Sequence, residues 1–464
     1  MKNNFLIILF LLLITGVVSS CKKLIKIPAN PPTAITQSQQ FADSVNAMTA
    51  VVGIYSYDNQ GLGFAFEEGD LSTRTGLSSD ELSSTETSDA DNQQFYSYGL
   101  TQLNDYVSSL WSNVYTTIYP VNAVIESVKG NSNLSASFVK QVTGEMLVVR
   151  SLYYFNLINL FGAVPLVTST GYGKSADIPR TSVDSVYGQI ISDLTTAEQN
   201  LTVSYPSAGH VRPNLYTALT LMAKVHLYLG DWQDAYNEAD SVINSGIFYS
   251  LEPDLNNVFL DGSEEAIWQL PVTGNQIVAE ASTFIPYSPG TVPNYLLTPY
   301  LLNAFESGDQ RRQDWVDSVT VNVGGNIQIF YYPHKYKNTV GGSIPAEDYM
   351  IFRLGEVYLI RAEAAAHLDN LNQALSDLDK IRNRAGLPNS TASGQTDILN
   401  AIMHERQVEL FTEWGSRWFD LKRTGTAGAV LGSEKQGWQA NAALYPIPQG
   451  QLQLDNLLTQ NPGY

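Results

Sequence analysis

Apolar positions recur at helical spacing over much of this chain. A first apolar face is formed by Phe41, Val45, Met48, Val52 and Tyr55. Thr36 and Gln39 can form a capping box in front of that face, which predicts a helix start there. The same spacing predicts further helices over 104–128, 137–161, 182–201, 214–229, 232–245, 349–368, 371–385 and 396–414. The pattern therefore predicts a mainly α-helical protein.

Two of the predicted helix–turn–helix segments match each other in sequence. Residues 229–235 (LGDWQDA) align with residues 368–374 (LDNLNQA), and each segment joins a long helix to a second one. Both resemble the turn of a tetratricopeptide hairpin, although two short helix–turn–helix segments can also look alike without being repeats. Because further amphipathic pairs surround both segments, we expect helical repeats that pack in series.

About a third of the chain has little helical period. Residues 57–103 and 247–347 are rich in Gly, Ser, Asn, Pro and Tyr. Within the second region, residues 319–331 alternate in polarity around Gly324-Gly325, which predicts a small β-hairpin. Long loops on a rigid scaffold commonly carry binding, so we expect the helical repeats to pack against an irregular, loop-rich half that holds the ligand chemistry.

The N-terminus has the three parts of a secretory signal. Lys2 precedes an apolar run over 5–14, and small residues follow it. The run is shorter than the roughly 18 to 20 residues that a membrane-spanning helix needs, so we expect residues 1–20 to be a cleaved signal.

The chain has a single cysteine, Cys21, directly after this signal. Val18-Ser19-Ser20-Cys21 resembles a bacterial lipobox, which predicts that Cys21 is lipidated and anchors the protein to a membrane. An ordinary cleaved signal followed by a spare cysteine is the alternative. One cysteine cannot form an internal disulfide, which leaves the thiol free for acylation. The proline-containing stretch over 21–35 reads as a spacer.

Charge and composition limit the partners. Lys and Arg total 26 against 45 for Asp and Glu, a formal net charge of −19. A protein with this negative net charge repels nucleic acid, so we expect no nucleic-acid partner. The 26 tyrosines are the other notable feature, because an apolar ring with a polar tip suits half-wet binding surfaces.

Catalytic and metal motifs are weak in this sequence. The five histidines are dispersed and form no metalloprotease pair: His210, His226, His334, His367 and His404. Asp89 and Asp91 resemble the start of a calcium loop, but Gln94 stands where that loop needs glycine. Neighbouring acids such as Asp80-Glu81 are weak evidence for a glycan hydrolase. We therefore expect neither a metal nor a cofactor, and no enzyme activity.

A sugar receptor needs aromatic platforms beside amides, carboxylates or guanidinium groups, because a sugar ring has an apolar face and a fringe of hydroxyls. Both irregular regions offer this combination. The first contributes Arg74, Asp80, Asn92, Phe95 and Tyr96, followed by Tyr98. The second contributes Tyr287, Asn294 and Tyr295, followed by Tyr300. The alternative is that these aromatic rings anchor the loops to the core.

Several stretches carry a family resemblance through their order along the chain. They are 150–157 (RSLYYFNL), 161–166 (FGAVPL), 213–218 (PNLYTA), 230–232 (GDW), 353–363 (RLGEVYLIRAE), 417–423 (RWFDLKR), 445–448 (YPIP) and 460–464 (QNPGY). In this order, and with the lipobox, they resemble the SusD/RagB family of bacterial outer-membrane nutrient-binding lipoproteins. The resemblance covers nearly all of the chain after the signal.

This resemblance implies one domain over 36–464, with an N-terminal part to about 245 and a C-terminal part from about 260, built on about four tetratricopeptide-like helix pairs. It further implies a non-catalytic cell-surface receptor that binds an oligosaccharide or similar nutrient and caps a SusC-like TonB-dependent transporter in the outer membrane. A tetratricopeptide-type assembly scaffold and a lipid-anchored glycan hydrolase are the alternatives.

Charged residues within the quoted motifs are expected to be scaffold rather than site. Six of them lie among apolar helix residues, which predicts buried or half-buried ion pairs: Arg150, Arg361, Glu363, Glu405, Arg417 and Asp420. Four tryptophans are expected to pack in the core: Trp111, Trp232, Trp315 and Trp418.

Overall fold

The structure is a computed structural model that describes residues 35–55, 69–171, 178–245, 249–272 and 274–464. The predicted signal, the lipidation site at Cys21 and nearly all of the spacer lie outside these residues. Over the described ranges, no helix combines the length and apolar character needed to cross a bilayer.

The described residues are mainly helical, as predicted. The helices are α1 Gln37–Gln40, α2 Ser44–Ile54, α3 Asp70–Ser78, α4 Ala90–Ser97, α5 Asp105–Val128, α6 Ala136–Phe161, α7 Val183–Asn200, α8 Leu215–Leu229, α9 Trp232–Ile243, α10 Ala279–Phe284, α11 Pro299–Ala304, α12 Arg311–Asp314, α13 Leu354–His367, α14 Leu371–Arg384, α15 Gln395–Glu409, α16 Ser416–Arg423, α17 Ala427–Glu434 and α18 Gln449–Leu454. The strands are β1 Leu82–Ser84, β2 Ala266–Pro271, β3 Tyr295–Leu297, β4 Val316–Val323, β5 Asn326–Pro333 and β6 Asp348–Arg353. The capping box at Thr36 is present in front of α1, but α1 ends at Gln40, and α2, which carries most of the first predicted apolar face, has Asp43 as its N-cap. Val45 and Val52 of that predicted face are exposed.

The strands form separate antiparallel pairs: β1 with β3, β2 with β6, and β4 with β5. The predicted hairpin is confirmed as β4–β5, with Val323 opposite Asn326. Gly324 and Gly325 form its turn at φ of 60° and 93°, which glycine adopts without strain.

The two matched segments are confirmed as neighbouring helix pairs. Helices α8 and α9 form one pair, α13 and α14 form the next, and α9 packs on α13. Gly230 and Asp369 occupy the equivalent turn positions, and both have left-handed backbone (φ 78° and 61°). The ring of His367 stacks on Trp232 at a centroid distance of 3.7 Å. Because α6 packs on α7 and α7 on α8, the pairs form one continuous row, which we call the helix row (α6–α9, α13 and α14).

Ion pairs recur at corresponding places in the helix row. Arg150 of α6 binds Asp193 of α7 through Nε and Nη2, both at 2.8 Å. Arg361 of α13 binds Asp377 of α14 in the same way, at 2.8 and 2.7 Å. Such forked pairs suit the guanidinium geometry and fix how two helices meet.

The prediction of buried or half-buried ion pairs is confirmed for all six residues. Beyond the two arginines above, the pairs are Glu363 with Arg423, Asp420 with Arg406 and Arg423, Glu405 with Arg311, and Arg417 with Asp80. A paired buried charge adds little net stability, but removing one partner leaves the other uncompensated. Packing roles are also confirmed for the tryptophans, since Trp111, Trp315 and Trp418 are buried and Trp232 is half-buried against His367.

Candidate ligand-binding surface

A short strand ladder brings the two irregular regions together. In the β1–β3 pair, Ser84 lies opposite Tyr295 and Leu82 lies opposite Leu297. Just beyond the ladder, the Thr85 N–H donates to the Asn294 carbonyl at 2.9 Å. The two regions in which the sequence predicted ligand chemistry therefore meet at one place on the molecule.

Three predicted site residues converge beneath this ladder. The Arg74 guanidinium donates through Nη1 to Asn92 Oδ1 and, at 3.0 Å, to the Tyr295 hydroxyl. Asn92 Nδ2 donates to the same hydroxyl at 2.6 Å. All three side chains are buried. We call this the buried polar cluster (Arg74, Asn92 and Tyr295); it ties α3, α4 and β3 to one another.

The buried polar cluster is closed by neighbouring side chains. The Tyr106 ring covers the Arg74 guanidinium at 3.5 Å, and Asp70 forms an ion pair with Arg74 at 2.9 Å. The Tyr106 hydroxyl donates to Asp89 at 2.8 Å, and burial together with this bond raises the pKa of Tyr106 to about 12. The phenol therefore stays a neutral donor at physiological pH.

Two further predicted residues lie deeper in the fold. Asp80 is buried and accepts from Arg417 Nε at 2.8 Å and Nη2 at 2.6 Å. Phe95 is buried with its ring edge against Tyr445, 5.3 Å between centroids. Both residues support the surface from inside the fold, and a direct contact between either side chain and a ligand stays a prediction.

Half-exposed aromatic rings lie above these buried residues. We call them the aromatic surface (Tyr96, Tyr98, Tyr300 and Trp438). Tyr98 ends α4 with left-handed backbone (φ 58°), and its ring meets Trp438 edge-on at 5.0 Å. Burial and the neighbouring Tyr300 raise the pKa of Tyr96. Tyr300 is 40% exposed, so at least one broad ring edge of this surface is open to solvent.

A buried lysine supports the aromatic surface from below. The Lys435 ammonium lies 4.4 Å from the Tyr96 ring centroid and 4.7 Å from that of Tyr98. It donates to the carbonyls of Leu77 and Ser79 at the C-terminal end of α3, where a cation also complements the helix dipole. Burial lowers the pKa of Lys435 to about 7.

The segment that holds Lys435 also fixes the other two rings. The Tyr300 hydroxyl donates to the Glu434 carbonyl at 2.7 Å. A Cβ atom at Gly437 would lie 2.9 Å from the Ser97 carbonyl, so glycine is needed for this loop to pack against the end of α4 and present Trp438. Burial and the nearby Asp80 raise the pKa of the Glu434 carboxyl to about 7.

Sequence reasoning missed Glu434, Lys435 and Trp438. They lie far from both irregular regions in the chain, although the Gly437-Trp438 pair was a weak available signal. The last two predicted residues are solvent-exposed: Asn294 adjoins the strand ladder, and Tyr287 is 93% exposed in the preceding loop. Their contact with a ligand stays a prediction.

A separate concavity lies beside the helix row. A cavity of about 580 Å³ opens between the two matched hairpin turns and helices α15–α17. Its walls include Leu227, Trp232, His367, Met403 and Leu421. Among the described residues, no group of three or more His, Cys, Asp or Glu side chains is arranged to hold a metal ion.

Two protein-family models match this chain. The model described as "Starch-binding associating with outer membrane" matches residues 34–227, and the model described as "SusD family" matches residues 317–464. Together these ranges cover most of the sequence.

Individual relatives agree with the family models. The chain is 29% identical over 420 residues to SusD-like protein P2 of Formosa agariphila, covering 78% of this chain and 81% of that protein. A SusD superfamily protein from Parabacteroides distasonis superposes with a TM-score of 0.79 at 22% identity, over 93% of this chain and 100% of the other. A structure named as a laminarin binding SusD-like protein gives a TM-score of 0.73 at 24% identity, over 91% and 100% of the two chains.

Proposed function

The chain belongs to the SusD-like family, and from that premise we propose that it is a non-catalytic glycan receptor that delivers its ligand to a TonB-dependent outer-membrane transporter. The observation that carries the proposal is the aromatic surface. Half-exposed rings from three distant parts of the chain form one platform, beside the Glu434 carboxyl, which can accept hydrogen bonds. This combination suits the apolar face and hydroxyl fringe of a sugar ring.

The printed names of relatives support a glycan as the ligand. One structural neighbour is named for laminarin binding, and one matching family model is described as starch-binding. These names describe those proteins. We therefore propose the ligand class from the aromatic surface and take the names as support for it.

The carboxyl groups beneath the aromatic surface are consistent with binding of a glycan without cleavage. A glycosidase needs two carboxyl groups that reach opposite sides of the scissile bond. Asp80 is held in its pair with Arg417, and Glu81 is buried, with a pKa raised to about 8 by burial and by Asp80. Both carboxyl groups are therefore enclosed beneath the aromatic surface.

Isothermal titration calorimetry with a glycan panel, combined with chromatography of the recovered glycan, tests this proposal. We expect saturable heat with at least one glycan and an unchanged oligosaccharide after incubation. Shortened products would contradict the receptor and support a hydrolase. Absence of heat with every glycan would remove the glycan proposal itself.

We further propose that a lipid on Cys21 holds the protein on the outer-membrane surface beside a SusC-like transporter. The family-model description of outer-membrane association and the lipobox motif support this placement. The test compares the native chain with Cys21→Ser in membrane fractions and in affinity purification. We expect the native chain to remain in the membrane and co-purify with a TonB-dependent barrel. Equal membrane retention of the variant would contradict the anchor.

A second candidate function rests on the cavity in the helix row. Helical repeats commonly bind other proteins, and about 580 Å³ between the two hairpin turns is large enough for side chains of a bound peptide. If the protein is only an assembly scaffold, Trp232→Ala should abolish capture of the partner protein. Trp438→Ala should then leave partner capture unchanged and should not alter the result of any glycan titration.

A further inference from the structure

We infer that the glycan that stacks on the aromatic surface is electrically neutral, without carboxylate, sulfate or phosphate groups on the sugars in contact. This inference rests on the proposed function, because it names the substrate class of the same site. It follows from where the charged side chains lie around the aromatic surface and from which of them are already paired.

The cations beneath the surface are unavailable to a ligand. Arg74 is 4% exposed, is covered by the Tyr106 ring, and donates to Asn92, Tyr295 and Asp70. Recognition of an anionic group needs an accessible guanidinium or ammonium, and this guanidinium is enclosed.

The other two cations are enclosed in the same way. Lys435 is 5% exposed, and its ammonium donates to two backbone carbonyls while it lies under two rings. Arg417 is committed to both carboxylate oxygens of Asp80. An anionic ligand would have to break these buried contacts to obtain a positive partner.

Carboxylates, in contrast, are partly exposed at the start of α4, the helix that carries Tyr96 and ends at Tyr98. Asp89 and Asp91 lie at the start of α4 and are partly exposed. At the helical rise, they are about 7 to 11 Å along the axis from Tyr96. That separation is comparable to the Debye length of about 8 Å at physiological salt, so an anion on the rings is repelled.

These carboxylates can also serve a neutral glycan. Asp91 accepts from the Asp105 N–H and from Gln94 Nε2, and Asp89 accepts from the Asn92 N–H and the Tyr106 hydroxyl. Each carboxylate has about four acceptor sites, so capacity remains for sugar hydroxyls. The net charge of −19 adds a long-range barrier against polyanions and none against neutral chains.

Matched oligosaccharides test the inference directly. A neutral oligoglucan that binds is compared by calorimetry with the same backbone carrying carboxylates or sulfates, in low and high salt. We expect the anionic forms to bind at least tenfold more weakly in low salt, with a smaller gap in high salt. Equal or tighter binding of an anionic form would overturn the inference and leave the receptor proposal intact.

A charge-neutral variant sharpens the result. Asp91→Asn keeps an acceptor for the Asp105 N–H and removes the negative charge, so we expect the neutral-to-anionic affinity ratio to fall about two- to threefold. Asp184→Asn, in the first turn of α7, is the matched control and should leave the ratio unchanged. An unchanged ratio in Asp91→Asn would contradict the electrostatic cause. If no glycan of either class binds, the proposed function fails and this inference falls with it.

Discussion

The helix row and the aromatic surface both bury positive charge, but they pair it differently. In the row, Arg150 and Arg361 each bind a carboxylate on the next helix, and Arg361 also pairs with Asp240 of α9. Under the aromatic surface, Lys435 faces backbone carbonyls and ring faces. The row therefore uses its cations to fix helices, while the surface uses its cation to position rings that remain half-exposed. Stability and binding should consequently depend on different side chains.

The largest expected effect is in the helix row. Arg361→Met leaves Asp377 buried without its partner, and we expect the free energy of unfolding to fall by about 3 to 5 kcal/mol. Urea denaturation measures this loss, and glycan affinity per folded molecule should not change. Lys140→Met, an exposed charge on α6, is the matched control and should change stability by less than about 0.5 kcal/mol. A similar small loss in both variants would contradict the stabilising role of the row.

A variant of the buried polar cluster should affect both stability and glycan binding. Tyr295→Phe removes the hydroxyl that serves Arg74 and Asn92, so we expect a loss of about 2 kcal/mol in unfolding free energy. Since the cluster positions α4, glycan affinity should fall as well. Denaturation and calorimetry on the same preparation measure the two effects. A loss of stability with full affinity would show that the cluster does not organise the surface.

Variants of the aromatic surface should affect binding alone. We expect Tyr96→Ala and Trp438→Ala each to weaken glycan binding about tenfold, roughly 1.4 kcal/mol, with little change in unfolding midpoint. Tyr119→Ala is the control, because this tyrosine is 61% exposed on α5. Unchanged affinity in both surface variants would remove the site assignment.

The contrast between the helix row and the aromatic surface also explains which features could be predicted from the sequence. The helix row was predictable because its signals are local: helical spacing, the two matched turns, and arginines among apolar residues. The β4–β5 hairpin was predictable for the same reason, since strand alternation flanks Gly324-Gly325. Burial and pairing follow directly from such patterns.

The site was only partly predictable. Arg74, Asn92 and Tyr295 were selected for their chemistry and do converge, yet loop composition does not reveal that they are buried. Trp438 and Lys435 reach the surface because the segment after α17 contacts the C-terminal ends of α3 and α4, far from Tyr96 in sequence. No local pattern reports a contact of that kind.

The smallest expected effect concerns Glu434. Its pKa is raised to about 7 by burial and Asp80, so its contribution to stability is complete below about pH 4.5 and is lost as the pH rises through 7. Lys435 has the opposite sign, because its lowered pKa costs stability as the pH falls toward 7. The difference between wild type and Glu434→Gln isolates the carboxyl. We expect that difference to change by about 0.5 kcal/mol between pH 5 and 8, since water screens this half-exposed group; a flat difference would contradict the assignment.

If the proposed function is correct, this chain binds an intact glycan on the aromatic surface. A crystal structure of the chain with a glycan selected by calorimetry tests it most directly. We expect an uncleaved sugar with one ring face packed at about 4 Å on Trp438 or Tyr96 and its hydroxyls bonded to neighbouring amides or carboxylates. A glycan seated in the cavity of the helix row, or cleaved in place, would contradict it.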